Sequence, residues 1–222
     1  MGQASGVYWD RQAGTYDRTT AFFERRLLAP TRTWIADRVV GTTLEVAVGT
    51  GANLPYYAHR VDDLTLVDAS QAMLDAAAAR AREVGKPVRL VLADAADLGL
   101  PSATFDTVVC TYAMCCVEDE LAVLRELGRV LRPGGRLLMA DHVESSVRLG
   151  RGVQRLLDLM APDAAHEHHR RRPLLRVPDA GMRVLETAAS RWRLVEQVAA
   201  TPLDIMSAPT STVGDHVEGV AS

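Results

Sequence analysis

The chain is short of lysine, cysteine and aromatic residues, and each shortage narrows what it can be. Lys86 is the sole lysine among 222 residues, so nearly all positive charge is arginine. With 25 basic and 28 acidic side chains the formal net charge is −3, which leaves no electrostatic footprint for wrapping nucleic acid. The three cysteines, Cys110, Cys115 and Cys116, fall in one short apolar stretch. Adjacent cysteines rarely make a structural bridge, so the expectation is a reducing compartment and no disulfide framework. No stretch reaches the roughly 18 apolar residues of a membrane helix. The opening MGQASGVYWDRQ lacks the apolar centre of a signal peptide. These absences point to a cytoplasmic protein with no integral membrane segment.

What is present is ordinary for one packed domain: 48% hydrophobic and 24% charged residues. Residues 16–40 carry Tyr16, Phe22, Phe23, Leu27, Leu28, Trp34, Ile35 and Val39 at spacings of three and four. That spacing predicts amphipathic helix, broken or kinked near Pro30. Residues 43–48 (TLEVAV) form a short buried-strand pattern running into Gly49-Thr50-Gly51. A second strand, 64–67, ends at Asp68, and an alanine-rich helix over 71–84 is closed by Gly85 with Pro87 beyond. A third strand over 88–92 ends before Asp94, a fourth covers 107–111, and a helix is expected over 118–131 with Leu121, Leu124, Leu127 and Leu131 on one side. Pro133-Gly134-Gly135 would stop it, ahead of a strand over 136–140. Alternating strand and helix argue for a parallel sheet covered on both faces. Further on come a helical segment over 153–160, a His- and Arg-rich run over 163–172, and two strand-like segments, 182–188 and 192–199, arranged as a hairpin. The polar stretch 207–222 reads as a disordered tail.

The strongest motif is LEVAVGTGAN, residues 44–53. Closely spaced glycines after a strand let the backbone turn sharply and a ligand approach without Cβ obstruction. Dehydrogenases use such a loop too. Glu45 separates the two readings, because a carboxylate there would repel a pyrophosphate but suits a ligand ammonium, directly or through water. Asp68, at the end of the second strand and 17 residues past Gly51, can accept hydrogen bonds from both ribose hydroxyls. Asp94, in LADAADL, can accept from an adenine amino group while the Ala95 backbone reads the ring edge; the competing role for Asp94 is a cap or turn.

The ordered set LEVAVGTGAN, LVDAS, LADAADL, FDTVV and LRPGGRLLMADHV resembles class I S-adenosylmethionine (SAM)-dependent methyltransferases. Within that family it is most similar to the quinone, phospholipid and thiol small-molecule enzymes, over residues 8 to about 200. The resemblance implies an α/β fold: a Rossmann-like, doubly wound, mostly parallel seven-stranded sheet with an antiparallel C-terminal hairpin strand. It implies an N-terminal helical lid over 1–40 and a SAM-binding domain over 41–206, with an acceptor flap around 145–180. SAM is the implied cofactor and a small molecule the implied acceptor. Tyr16, in YWDRQAGTYD, would belong to the lid. Glu45, Gly49 and Gly51 would hold the methionine end, Asp68 the ribose, and Asp94 with Ala95 the adenine. Thr111 and Tyr112 would face the sulfonium and acceptor, and Ala47, Asn53, Ala69 and Met73 complete the implied cofactor positions. The family usually has glycine at Ala47, where one added methyl is easily accommodated if the backbone is extended.

Methyl transfer needs alignment and exclusion of water, and positioning alone can supply much of the acceleration. His142 and Asp141, ending the fifth strand, are the candidate general bases; the alternative is that Asp141 caps a turn and His142 packs. Cys115 and Cys116 read as small buried hydrophobes rather than reactive thiols. His166, His168 and His169, with Glu167 and Asp163, invite a metal, but Arg170, Arg171 and Arg172 would oppose a cation, so no metal is expected. The resemblance also sets His168 and Arg171 on the acceptor flap. Two rival readings are a catalytically silent SAM-binding protein and an NAD(P)-dependent oxidoreductase, the latter disfavoured by Glu45 and the terminal hairpin.

Overall fold

In the computed structural model of the chain, residues 6–14, 17, 28–143, 173–190 and 194–203 are described. Five helices and seven strands appear among them. The helices are α1 (6–14), α2 (Ala29–Ala36), α3 (Leu54–Tyr57), α4 (Gln71–Glu83) and α5 (Glu120–Val130). The strands are β1 (Thr43–Val46), β2 (Leu64–Asp68), β3 (Arg89–Leu92), β4 (Phe105–Thr111), β5 (Leu131–His142), β6 (Met182–Ala189) and β7 (Val195–Pro202). They form one sheet in the order β3-β2-β1-β4-β5-β7-β6. Strands β1 to β5 pair in parallel, while β7 runs antiparallel to both β5 and β6. The expected seven-stranded, mostly parallel α/β sheet is therefore present.

Both faces of the sheet are covered, which explains the unbroken apolar runs of its central strands. Every residue of β1 and β2 is buried. Leu44, Val46, Val108 and Leu137 pack with Leu124 and Leu127 of α5 on one face. Ile35 of α2, Leu54 and Tyr57 of α3, and Leu74 and Ala77 of α4 meet Leu66, Val109 and Leu138 on the other. The chain winds outward from β1 to β3, then crosses back to β4. The order thus reverses between β1 and β4, where a cleft opens at the carboxyl ends of the strands.

Helix boundaries follow local chemistry. Ser70 caps α4, its Oγ accepting from the Met73 amide at 3.1 Å. At the other end Gly85, at φ +66°, allows the Lys86 amide to reach the Ala81 carbonyl and the Gly85 amide to reach Arg82, a Schellman closure. Asp119 caps α5 by accepting from the Leu121 and Ala122 amides, so this helix starts two residues later than expected. Its buried stripe is Val123, Leu124, Leu127 and Val130, whereas Leu121 is only half-buried and Leu131 is already strand. Pro30 lies in the first turn of α2, where its missing N–H costs nothing, and the stretch 18–27 before it lies outside the described residues.

The Pro133-Gly134-Gly135 stop is likewise corrected. It lies within β5, where the pairing jumps from Phe105↔Leu131 to Thr107↔Arg136. Gly134 takes φ +75°, and a Cβ on Gly135 would stand 2.9 Å from the Arg132 carbonyl and 3.1 Å from that of Phe105. The residues thus form a bulge that only glycine can pass. Strand β7 begins at Val195, three residues beyond the expected start at 192, because the Ser190 hydroxyl accepts the Leu194 and Val195 amides and sets the turn. The expected helix over 153–160, the run 163–172 with its histidines and arginines, and the tail 207–222 lie outside the described residues. No helix among the described residues is long and apolar enough to cross a membrane.

Candidate functional site

A cleft with about 580 Å³ of space, continuous with open solvent, lies over the ends of β1, β2 and β4. Its floor is the loop after β1. Ala47, Val48, Gly49 and Thr50 line it, with Ala52 beyond. Gly49 takes φ +54° with open space where a Cβ would point. Gly51 serves a different end: at φ +77°, its absent Cβ would lie 3.3 Å from Ala77 Cα, so it permits the loop to pack against α4 and does not line the cleft. Ala47 sits at φ +53°, which corrects the expectation of extended backbone there. A Cβ in the left-handed region costs about 1–2 kcal/mol, so this alanine holds a conformation that glycine would adopt freely.

Asp68 closes β2 and lines the cleft at 5% exposure. Its Oδ2 accepts from the Gly49 amide at 2.8 Å and its Oδ1 from the Ser70 amide at 3.0 Å. A carboxylate has about four acceptor positions, so lone pairs remain for a ligand's hydroxyls. Burial pushes its pKa up, against the lowering pull of these backbone donors. Met73, from the first turn of α4, lines the wall beside it. Ala69 does not reach the cleft surface, and the backbone of Gly6 passes so close that a Cβ there would lie 2.5 Å from the Ala69 oxygen.

Beneath the loop lies a buried polar network. Arg32 donates to Asn53 Oδ1 at 2.6 Å, and Asn53 Nδ2 donates to Glu45 Oε1 at 2.7 Å and to Thr111 Oγ1 at 3.0 Å. The Tyr57 hydroxyl donates to the other oxygen of Glu45. Glu45 is 1% exposed and does not line the cleft; burial raises its pKa, while Tyr57, Asn53 and the Arg32 charge oppose that. Burial and the neighbouring Glu45 charge push the Tyr57 phenol well up. Of this group Arg32 and Thr111 reach the cleft surface, and Asn53 stands behind them. Glu45 therefore acts on the cleft through Asn53 and as the counter-charge of Arg32.

On the β4 side the wall is Thr111, Tyr112, Ala113 and Cys116. Tyr112 takes φ +57°, rare for an aromatic residue. The Arg32 guanidinium lies 5.5 Å from its ring centre and the His142 ring 4.9 Å, tilted by 36°. Asp141 turns away from the cleft. Its Oδ2 accepts from the Met114 amide at 2.6 Å and its Oδ1 from the His142 amide at 2.7 Å, and burial raises its pKa to about 6. Asp141 thus ties the end of β5 to the turn after β4, and His142 packs on Tyr112; neither lines the cleft. Asp94 and Ala95 lie one strand further out and are also off its surface, although the Ala93 amide bonds to the Asp68 carbonyl at 3.1 Å. The Asp94 carboxylate accepts from the Ala96 amide at 2.9 Å, a turn-forming contact.

The structure adds residues that sequence reasoning passed over. Trp9, from α1, lines the cleft opposite the glycine loop. Helix α1 is pinned there by Asp10, which accepts from Ser70 Oγ at 2.5 Å and the Ala72 amide at 3.1 Å. Asp17 accepts from Thr50 Oγ1 at 2.6 Å and pairs with Arg80 at 2.5 Å. Trp9 stands inside YWDRQ, so its signal was legible; Tyr16, the expected lid residue, lies outside the described residues. Arg32 had no signal, because one inward arginine among several in an amphipathic run looks like its solvated neighbours. Among the described residues, no group of three or more His, Cys, Asp or Glu side chains could hold a metal ion.

Comparison with known proteins agrees with this architecture. The family profile described as a methyltransferase domain matches residues 44–139, the span from β1 to the middle of β5. The chain is 42% identical over 104 residues to a phosphatidylethanolamine N-methyltransferase of Cereibacter sphaeroides, covering 46% of this chain and 51% of that one. It is 33% identical over 174 residues to a nocamycin O-methyltransferase of Saccharothrix syringae, covering 74% of this chain and 62% of that one. The matches therefore span about half to three fifths of these relatives' own lengths. A solved geranyl diphosphate methyltransferase, in complex with GPP and sinefungin, shares the fold at a TM-score of 0.65 and 20% identity, over 80% of this chain and 79% of that one. With the strand order, the glycine loop and the carboxylate ending β2, these likenesses support a class I SAM-dependent methyltransferase.

Proposed function

We propose that this chain transfers a methyl group from SAM to a small-molecule acceptor, and that the cleft over β1, β2 and β4 is where both meet. The observation that carries the reading is Asp68: a buried carboxylate at the end of β2, braced by the Gly49 and Ser70 amides and facing the cleft. Its remaining lone pairs suit the two ribose hydroxyls. Arg32 is the cation at the opposite end and suits the methionine carboxylate, with Asn53 fixed beside it by Glu45. The Gly49 and Thr50 backbone lies between them. Asp94 and Ala95, beside the end of β2, are assigned to the adenine edge.

Bound SAM supplies an electrophilic methyl on a sulfonium. The rest is positioning. Thr111, Tyr112 and Ala113 wall the side on which an acceptor would approach, while Trp9 and the pinned helix α1 keep water from the opposite side. No general base is assigned. Asp141 is held by two backbone amides, and His142 supports the Tyr112 ring. The acceptor atom stays open, since the relatives are named for transfer to nitrogen and to oxygen.

Titration calorimetry is expected to show SAM and S-adenosylhomocysteine (SAH) binding, and no NADH binding. Asp68→Ala removes two charge-assisted hydrogen bonds and is expected to weaken SAH roughly 100-fold. NADH binding without SAM binding would overturn the reading, and unchanged SAH affinity in Asp68→Ala would remove the ribose assignment. Incubation with methyl-labelled SAM and a panel of thiols, phenols, quinols and phospholipids then identifies the acceptor class.

A further inference from the structure

The turn after β4 carries chemistry that methyl transfer does not use. Met114–Cys116 form a single 3-10 turn in which the Cys115 and Cys116 sulfurs stand 3.5 Å apart. Cys116 is half-buried and lines the cleft. Cys115 lies beneath it, its thiol directed at the Tyr112 carbonyl at 3.9 Å and at the Asp141 carboxylate. Asp141 also accepts the Met114 amide at 2.6 Å, so one carboxylate fixes the turn and stands ready for a thiol proton. The third cysteine, Cys110, is buried in β4, and burial pushes its thiol far up, so it stays protonated.

We infer that Cys115 and Cys116 form a two-sulfur binding site for a trivalent organoarsenical, opening on the wall of the cleft that the proposed function assigns to the acceptor. Two bonds of about 2.3 Å, the length thiolates make to a soft centre, span the observed 3.5 Å gap at an angle of about 100°. That angle suits a pyramidal centre with a lone pair better than a tetrahedral metal. The number of sulfurs selects the same class. Among the described residues no group of three or more His, Cys, Asp or Glu side chains could hold a metal ion, and Asp141 beside Cys115 is taken up by the Met114 and His142 amides, whereas an organoarsenical already carries one carbon substituent and needs two thiolates. With phenylarsine oxide the two thiols form two As–S bonds, the arsenic–oxygen bonding is lost, and both protons leave with that oxygen as water. Arsenic stays trivalent, so no oxidant or reductant is required.

The test titrates the reduced full chain with phenylarsine oxide and reads the adduct by mass and by the number of thiols left. The expected result is one phenylarsenic group per chain, two thiols consumed, and reversal by 2,3-dimercaptopropanol. Cys116→Ser is expected to weaken the adduct by roughly 100-fold or more, the advantage of a second tethered contact. Cys115→Ala should do the same, and circular dichroism on both variants separates loss of the site from loss of the fold. No adduct, a single thiol consumed, or an undiminished adduct in folded Cys116→Ser would each overturn the site. SAH calorimetry on the same wild-type sample reports on the cofactor reading separately, since neither sulfur takes part in the assignment of Asp68.

Discussion

At the scale of single residues, the cleft is built from conformations that their own side chains disfavour. Ala47 and Tyr112 both take positive φ, at the ends of β1 and β4 that flank the switch in strand order. Strain at such positions persists only where the surrounding structure imposes it. For Ala47 the cost is separable from the ligand. Ala47→Gly should gain about 0.5–1 kcal/mol in urea unfolding, because relief of the left-handed Cβ exceeds the added freedom of the unfolded glycine. A loss of stability would show that the methyl packs better than its φ suggests. Asp141 gives a second test, with a definite sign. Its pKa is raised from the ordinary 3.8 to about 6, so the folded state keeps a proton that the unfolded chain has already lost. That contribution is complete below pH 3.8 and is lost as pH rises through 6; its full size is on the order of 3 kcal/mol. Unfolding at pH 4 and pH 7.5 should therefore show a larger stability decline in the wild type than in Asp141→Asn, which keeps only the share due to Glu45 and Asp68, beside a constant loss from giving up one amide acceptor. Equal declines in both proteins would sink this account. Sequence alone pointed to Asp68 and Gly49, and both line the cleft. It concealed the φ of Ala47 and the inward turn of Asp141, since neither a backbone angle nor a side chain's direction is written in a residue's name.

At the scale of elements, strands and helices were legible wherever one apolar face or a fully apolar run marked them. Strands β1 and β2 are buried end to end, and α4 carries Met73, Leu74, Ala77 and Ala81 on one stripe between a serine cap and a glycine closure. Legibility failed where one residue type serves two geometries. Proline and glycine in Pro133-Gly134-Gly135 read as a stop, yet in β5 they let a strand carry extra residues past its neighbour. Helix α1 was legible only in outline, because its attachment is polar and made to distant segments. Asp10 fastens it to the start of α4, and Asp17, beyond its end, binds Thr50 and Arg80. Replacing both by alanine should release SAH roughly tenfold faster in stopped-flow displacement, since local opening governs escape from a covered site. The fold should be retained, as both aspartates are exposed. An unchanged release rate would mean that α1 does not gate the cleft.

At the scale of the molecule, the cleft joins elements from both halves of the sheet: Asp68 from β2, the loop after β1, Tyr112 after β4 and Arg32 from α2. A ligand that touches all of them should stabilise the whole rather than one part. SAH at 100 times its dissociation constant is expected to add about 2.7 kcal/mol, or roughly 5–10 °C in the melting midpoint for a domain of this size. Scanning calorimetry with and without SAH would check this, and a shift in Asp68→Ala as large as in the wild type would contradict it. The position of β7 has another consequence. The last strand of the sheet to be made lies between β5 and β6, with Val195–Pro202 bonded on both sides. During synthesis β6 leaves the ribosome with no partner beside it and must wait for the strand that follows. Until Pro202 has emerged, the growing chain therefore presents two open edges, those of β5 and β6, to the chaperones and other nascent chains around it.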